Sequence, residues 1–293
     1  MDGFRIPVGD WADTAIRWLK SNLDDVLDGV GFVLRWLVDT LADQLLAVPA
    51  LLLIAILALL GWIARSWQFA IGATLALLLI VAMDQWEPAI QTLSLVLIAA
   101  AIALLIAIPI GILAARNATV SLIVRPVLDF MQTMPSFVYL IPTVLFFGIG
   151  FAPGVVSTII FALPPGIRLT ELGIRGVDPE KVEAGQAFGA TPGQILRGIQ
   201  LPLASPTIMA GVNQVIMLAL SMAVVAGIAG ANGAGKEVVA AISTLNIAQG
   251  VEAGLSIVVL AIYLDRVTSA LGAPAAHSSS LRAALRRRRL AAA

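Results

Sequence analysis

The segment GANGAGKE at residues 230–237 has the spacing of a phosphate-binding loop, because four residues separate Gly230 from the pair Gly235-Lys236. In such a loop, backbone N–H groups and the lysine bind phosphates, and a Ser or Thr after the lysine binds Mg²⁺. Here Glu237 follows the lysine, and the preceding residues are apolar over the length of a membrane span. We therefore predict that this segment is not a nucleotide site.

Other residues that support catalysis or metal binding are scarce. The chain of 293 residues has no cysteine, and its one histidine, His277, lies in a polar tail without a second histidine nearby. Disulfides and thiolate sites are thereby excluded. We find no set of nucleophile and base and no cluster of metal ligands. The sequence predicts no catalytic residue, no metal site and no cofactor bound by this chain itself.

The composition is that of a polytopic membrane protein. Hydrophobic residues make up 59% of the chain, charged residues make up 12%, and the mean hydropathy is +0.97. Ordinary soluble domains contain about 25% charged residues. We therefore predict an all-α membrane helix bundle in contact with the lipid bilayer, and no nucleic-acid partner.

Windows without charged residues predict about seven transmembrane helices, since one span needs about 20 apolar residues. Charge-free windows lie at residues 44–64, 66–83 and 88–115, on either side of GIGFAPG at 148–154, and at 206–228, and a seventh span is expected from about Glu252 to Leu271. Seven spans place most of the basic residues of the loops on one side, which is the cytoplasmic side by the positive-inside rule; these residues are Arg65, Arg116, Arg125, Arg168, Arg175, Lys181 and Arg197. The sequence thus predicts an external N-terminus and a cytoplasmic C-terminus.

The N-terminal residues 10–45 form an amphipathic pattern with aspartates on one side and tryptophan, leucine and valine on the other. Such a helix lies in the membrane interface or packs on the bundle, and Gly29 and Gly31 are candidate break points. We divide the chain into this segment (1–45), two accessory spans (46–87), a transmembrane core with a cytoplasmic loop at 171–205 (88–272), and an Arg-rich tail (273–293).

The cytoplasmic loop contains signals for a short, exposed helix. Asp178 is a good N-cap, Pro179 suits the first turn, and Glu180 complements the helix dipole. Gly189 can end the helix in the left-handed conformation, and Thr191-Pro192 can start a second helix.

Two further features of the loop concern its partner and its exit. Small residues at Ala184, Gly185 and Ala187 would allow the backbone of a partner to approach closely, and Leu201-Pro202 is expected to turn the chain back into the membrane. A short helix held at both ends is suited to docking as a rigid body.

Glu183-Ala184-Gly185, then Gly189, then Ile199-Gln200-Leu201-Pro202 resemble the EAA loop of ABC importer permeases in every spacing. The third position departs from the pattern, with Gly185 in place of alanine. The resemblance implies a coupling helix that docks on a cytoplasmic ATPase subunit, which binds ATP and Mg²⁺. The residues that it assigns to this coupling function are Asp178, Glu180, Glu183, Ala184, Gly185, Gly189, Ile199, Leu201 and Pro202.

The resemblance extends from about Thr92 to Leu271 and is to the glycine betaine/proline betaine permease family. Segments that carry it are RPVLDFMQTMPSFVYLIP (125–142), LPPGIRLTELGIRGV (163–177) and MLALSMAVVAGIAGANGAGKEV (217–238). It implies a type I ABC importer permease fold in a bacterial inner membrane. It also implies a second permease copy, an external substrate-binding protein, and transport of glycine betaine, proline betaine or choline.

Six polar side chains are candidates for lining the translocation path: Gln132, Thr133, Ser136, Asn213, Gln214 and Ser221. The alternative for Asn213 and Gln214 is hydrogen bonding between helices, because an unsatisfied amide is costly in hydrocarbon. No Asp, Glu, Lys or His lies in the middle of a predicted span, which argues against a proton-driven carrier. An autonomous channel or secondary carrier is the alternative to an ATP-driven importer.

The glycine-rich segment keeps a structural role in this interpretation. Gly230, Gly233 and Gly235 permit tight bends and close approach between two subunits. We predict that they form part of an outer gate or of the contact with the binding protein, with Lys236 and Glu237 at the polar rim.

Overall fold

The computed structural model describes residues 6–272, and the described chain is almost entirely helical. The predicted tail at 273–293, with His277, lies outside the described residues. The helices are α1 (Val8–Ala47), α2 (Ala50–Ala64), α3 (Trp67–Ala82), α4 (Trp86–Arg116), α5 (Ala118–Thr133), α6 (Leu140–Phe147), α7 (Phe151–Arg175), α8 (Pro179–Ala187), α9 (Pro192–Ile195), α10 (Leu201–Ile228), α11 (Ala234–Thr244) and α12 (Ile247–Gly272). A 3₁₀ turn (Ser136–Tyr139) precedes α6, and a π-helical turn (Leu196–Gln200) joins α9 to α10.

The expected number of about seven spans is not confirmed. Within residues 6–272, four helices are long and apolar enough to cross a membrane, namely α4, α7, the continuous helix Pro192–Ile228 and α12. Counting bent pairs raises the number to six, because α1 meets α2 at 104° and α5 meets the 136–147 helix at 107°. The predicted second span is α3, which has only 16 residues. Apolar windows report composition, whereas the bends and helix ends depend on packing.

The span boundaries also change at the ends of the long helices. Glu171 lies inside α7 and Asp265 lies inside α12, each within eight residues of the C-terminal end of its helix. Helix α7 therefore continues past its apolar window and includes Glu171, which the prediction had placed in the loop, whereas α12 ends at Gly272, within one residue of the predicted end of the last span.

The centre of the molecule consists of α4, α7 and α10, which touch through small residues. A Cβ atom added at Gly111 of α4 would lie 2.5 Å from Cβ of Thr170 in α7. A Cβ atom added at Gly166 would lie 2.8 Å from Cβ of Ala107, and one added at Gly154 would lie 2.8 Å from Cβ of Ala226. Small residues at helix crossings let backbones approach and gain van der Waals contact in a lipid environment.

The N-terminal segment forms α1, which is kinked at Leu23, and the part of α1 after the kink packs on the bundle. Its buried residues are Gly31, Leu34, Val38 and Ala42, and it contacts α4, α6 and α7. The expected break at Gly29 or Gly31 is wrong, because both lie within the helix and the distortion occurs at Leu23 (φ −122°, ψ 18°). Gly31 instead lies against Phe147, where an added Cβ would be 3.1 Å from the ring atom Cδ1.

We predict that Gly111→Ala destabilises the bundle by about 1–3 kcal/mol, because overpacking a close helix crossing forces the backbones apart. The matched control is Gly72→Ala in α3, where an added Cβ meets no atom within 4 Å. That change should be neutral or stabilising by up to about 1 kcal/mol, since alanine favours helix. Thermal unfolding in detergent measures both, and equal midpoints for the two variants would contradict the proposed crossing.

Candidate functional site

The predicted coupling helix is present as α8, and local side-chain chemistry defines both of its ends. The Asp178 carboxylate accepts a hydrogen bond from the Glu180 N–H at 3.0 Å. Gly189 has φ +77°, and the N–H groups of Gly189 and Ala190 donate to the carbonyls of Gln186 and Gly185 at 2.9 and 3.0 Å. This is the Schellman arrangement, which satisfies the last carbonyls of a helix. The predicted N-cap and stop are confirmed.

The two faces of α8 have different environments. Val182 and Gly185 face the rest of the chain, and a Cβ added at Gly185 would lie 2.7 Å from Cδ1 of Ile199. The opposite face is exposed and consists of Glu183, Ala184, Ala187 and Phe188. Gly185 therefore faces Ile199 of its own chain, which corrects the expectation that it makes room for a partner. Phe188 is 92% exposed and ends this outer face.

The second half of the loop leads directly into the bundle. Thr191 and Gln194 form a capping box, in which the Thr191 N–H donates to the Gln194 side chain at 2.7 Å. The helix then passes through the π turn, where the Leu201 N–H donates to the Leu196 carbonyl, and continues as α10. The expected turn at Leu201-Pro202 is wrong, because residues Pro192–Ile228 form one continuous helix that includes the π turn.

The Ile-x-Leu-Pro part of the motif supports the loop from inside. Ile199 and Leu201 are half-buried and pack against the cluster of Ile174, Leu196 and Ala204. Pro202 remains exposed. These positions of the motif therefore hold α8 against the bundle, and the exposed face of α8 is the part open to a partner.

Sequence reasoning missed a buried carboxylate beside this loop. Glu171 of α7 accepts hydrogen bonds from Ser121 at 2.7 Å and from Arg125 at 3.0 Å, both in α5. Arg175 pairs with the same oxygen at 2.9 Å and also donates to the Ala114 carbonyl of α4 at 2.8 Å. These contacts tie three helices together, and a cleft of about 310 Å³ opens beside them.

A second ion pair, between Asp129 and Arg168, strengthens the seam between α5 and α7. The sequence interpretation assigned Arg125, Arg168 and Arg175 only to the cytoplasmic side and predicted no ion pairs for them. The spacing of Glu171 and Arg175, one helical turn apart, was the available signal for a pair on one helix face.

The structure separates the six candidates for the translocation path. The Asn213 amide donates to Asp265 at 2.8 Å and accepts from Thr268 at 2.6 Å, so that α10 is bonded to α12. The N–H donor and the oxygen acceptor of this amide both take part in hydrogen bonds between helices, as the alternative interpretation predicted. Gln214 and Ser221 are exposed on α10, on the same face as Met217.

The remaining candidates lie where α5 ends. Gln132 and Thr133 are exposed in the last turn of α5, and Ser136 is half-buried in the 3₁₀ turn. That turn contacts α10, so the polar residues of the two segments belong to neighbouring surfaces. A role in translocation stays a prediction for Gln132, Thr133, Ser136, Gln214 and Ser221.

The glycine-rich segment is a turn followed by α11, and its glycines are required by contacts within the chain. Gly230 and Gly233 have φ of +84° and +125°. A Cβ on Gly233 would lie 2.6 Å from Oγ1 of Thr92, and one on Gly235 would lie 2.3 Å from the Ala223 carbonyl oxygen. The Thr92 hydroxyl accepts from the Ala234 N–H at 2.8 Å. Intramolecular packing thus explains glycines that we had attributed to contact between two subunits.

The two charged side chains of this segment, Lys236 and Glu237, also form hydrogen bonds within the chain. Lys236 donates to the Asn232 side chain at 2.9 Å, and Glu237 accepts from Gln249 at 2.7 Å. The element before the turn is the helix α10, where a phosphate-binding loop requires a strand. The outer-gate role of this segment stays a prediction.

We predict that Asn213→Ala lowers stability by about 1–3 kcal/mol, because it leaves Asp265 and Thr268 without their partner. Gln214→Ala is the matched control, since this neighbouring amide is exposed and no hydrogen bond of its side chain is found in the described structure. Thermal unfolding of the two purified variants in detergent measures the difference. A midpoint for Asn213→Ala as high as that for Gln214→Ala would show that the link between α10 and α12 does not contribute.

Comparison with known proteins agrees with this architecture. The profile of the family described as binding-protein-dependent transport system inner membrane component matches residues 107–273. The chain is 46% identical over 264 residues to the glycine betaine transport system permease protein OpuAB of Bacillus subtilis, covering 90% of this chain and 94% of that protein. It is 45% identical over 267 residues to the glycine betaine/proline betaine transport system permease protein ProW of Escherichia coli, covering 91% and 75%.

Solved structures show the same fold. The permease chain of the MetNI methionine ABC transporter in an inward-facing conformation superimposes with a TM-score of 0.57 at 22% identity, covering 62% of this chain and 91% of that chain. A second crystal form of that transporter gives a TM-score of 0.56. The match to the family profile and to full-length relatives leads to one conclusion: this chain belongs to the family of binding-protein-dependent transport system inner membrane components.

Proposed function

We propose that this chain is the membrane-spanning subunit of an ATP-driven importer for a betaine-type quaternary-ammonium solute. The observation that carries the proposal is α8, a short helix with both ends capped and one face open, at the spacing of the EAA loop. The names of the Bacillus and Escherichia relatives support glycine betaine and proline betaine as solutes. Choline is a further candidate, since a relative from Bacillus subtilis with 29% identity is a choline transport system permease protein.

The ATPase subunit docks on the exposed face of α8 in this proposal. Glu183 offers a charge, Ala184 and Ala187 allow close approach, and Phe188 offers an apolar anchor. Buried aromatic anchors commonly contribute much of the energy at such interfaces. ATP and Mg²⁺ bind to the partner, and this chain contributes no catalytic residue.

A mechanical connection runs from α8 to the path. Because Gly185 packs against Ile199, a displacement of α8 acts directly on the π turn at 196–200. The π turn continues as α10, whose exposed face has Gln214, Met217 and Ser221. A second copy of the chain would cover this face, and the path would lie between the two copies.

The arginines of the loops support a cytoplasmic position for α8 and an external position for the N-terminus. Recognition of the solute with high affinity belongs to an external binding protein. A zwitterionic or quaternary-ammonium solute needs no permanent counter-charge in the path, and the exposed stripe on α10 is uncharged.

We predict that Gly189→Val reduces ATP-dependent uptake by about tenfold or more, because a positive φ costs a non-glycine residue about 1–2 kcal/mol and a β-branched residue more. Uptake is measured in proteoliposomes with the ATPase and the binding protein. Membrane insertion should persist, since an added Cβ at Gly189 meets no atom within 4 Å.

Two variants control for this effect. Gly189→Asn should retain most of the uptake, because asparagine tolerates the left-handed conformation. Gly193→Val adds the same side chain in the same loop, at a glycine with no atom within 4 Å of an added Cβ and no positive φ. Normal uptake by Gly189→Val, or equal loss in Gly193→Val, would contradict the coupling role of the end of α8.

Competition uptake tests the solute. We expect unlabelled glycine betaine and proline betaine to reduce the uptake of labelled glycine betaine, with no uptake when the ATPase is omitted. Uptake by the chain alone would favour the alternative of an autonomous channel or secondary carrier. Absence of any competition by betaines, with ATP-dependent uptake of another solute, would overturn the assignment of the substrate class.

A further inference from the structure

A lysine on α1 reaches across to a different helix of the bundle. Lys20 is half-buried, whereas the neighbouring charged residues Asp13, Arg17 and Asp24 are exposed. Its Nζ atom donates to the carbonyl oxygen of Leu145 at 2.6 Å. This contact joins residues 125 positions apart in the chain.

The carbonyl that accepts this hydrogen bond lies at a helix C-terminus, where a positive charge is favourable. Leu145 lies in the last turn of α6, whose final carbonyls have no N–H donor within the helix. The negative end of a helix dipole also favours an ammonium group. Lys20 therefore satisfies an acceptor that the short α6 cannot satisfy itself.

The first half of α1 and helix α6 face each other across an open cleft. A cleft of about 640 Å³ separates the two helices, with Ile16 and Arg17 on one side and Ile141 and Leu145 on the other. Direct packing is found further along α1, where Gly31 lies against Phe147. The ammonium group of Lys20 thus bridges an open cleft.

The turn after α6 is connected to the glycine-rich segment. Gly148 and Gly150 have φ of +72° and +134°, and the Gly150 N–H donates to the Ala229 carbonyl at the end of α10, at 2.9 Å. A Cβ on Gly230 would lie 2.3 Å from the Ile149 side chain. A shift at the end of α6 is therefore transmitted to the end of α10.

We propose that α1 is a positioning strap, in which Lys20 fixes the end of α6 and through it the 148–150 turn and the C-terminal end of α10. Lys20 is a positioning residue, because it acts through the turn. The amphipathic sequence of α1 indicated a helix that lies in the membrane interface or packs on the bundle, and the hydrogen bond of Lys20 identifies α6 as one place where it attaches. This inference goes beyond the proposed function and rests on it only in the uptake measurement below.

The first test is hydrogen exchange in the full-length chain, in lipid nanodiscs, over the segment that contains the Gly148 and Gly150 amides. Both amides are hydrogen-bonded, to Val144 and to Ala229. We expect Lys20→Met to speed their exchange by about tenfold, since a hydrogen bond from a charged donor is lost. Lys20→Gln should act in the same direction, and Lys20→Arg should restore most of the protection.

Arg17→Met is the matched control, because Arg17 lies on the same helix but pairs with Asp13. It should leave the exchange unchanged. The Gly176 amide, bonded to Leu172 at the other end of α7, is an internal reference that no variant should alter. If the Gly148 and Gly150 amides exchange no faster in Lys20→Met and Lys20→Gln than in Arg17→Met, the proposal that α1 is a positioning strap is contradicted.

The second test is uptake with the ATPase and the binding protein. Lys20→Met should lower the maximal rate about threefold with an unchanged half-saturating concentration, because Lys20 positions the chain and binds no solute. A raised half-saturating concentration with an unchanged maximal rate would overturn the positioning role. If the wild type shows no ATP-dependent uptake, the proposed function fails, and hydrogen exchange still decides the role of Lys20.

Discussion

Close backbone approach among α4, α7 and α10 is the physical constraint on which the other contacts depend. Lipid tails are as apolar as leucine, so burial of apolar surface contributes little to helix association, and van der Waals contact must supply it. Gly111, Gly154 and Gly166 provide that contact by removing a Cβ atom from each crossing. With these three helices in place, the polar ties at Glu171 and Asn213 have their partners within hydrogen-bond distance.

The loop that contains α8 extends this rigid centre to the surface. Its inner face uses Ile199 and Leu201 to pack on the bundle, and Gly185 brings α8 down onto Ile199. Because the π turn and α10 form one continuous helix, the loop is mechanically part of a membrane-crossing element. A docked partner would therefore act on α10 without an intervening flexible segment. The buried Glu171 braces α7, the helix that leads into the loop.

Local chemistry explains which predictions were confirmed. The start of α8 at Asp178 and its end at Gly189 follow from an N-cap and from a left-handed glycine, and both depend on residues within a few positions. The two predicted breaks that were wrong, at Gly29 or Gly31 and at Leu201-Pro202, lie within continuous helical stretches, where a glycine or a proline alone did not end the helix. The number of spans was not confirmed for a related reason, since apolar windows carry no information about a bend of 104° or 107°.

The sequence by itself determined the all-α membrane class, the family and the position of α8, because these rest on composition and on short motifs. Only the tertiary structure decided what each small or polar residue does. Gly185 accommodates Ile199, Asn213 is engaged by Asp265, and Gly233 makes room for Thr92. The partners lie from 14 to 141 positions away in the chain. No local pattern encodes such pairings, because they arise only when packed helices bring distant residues together.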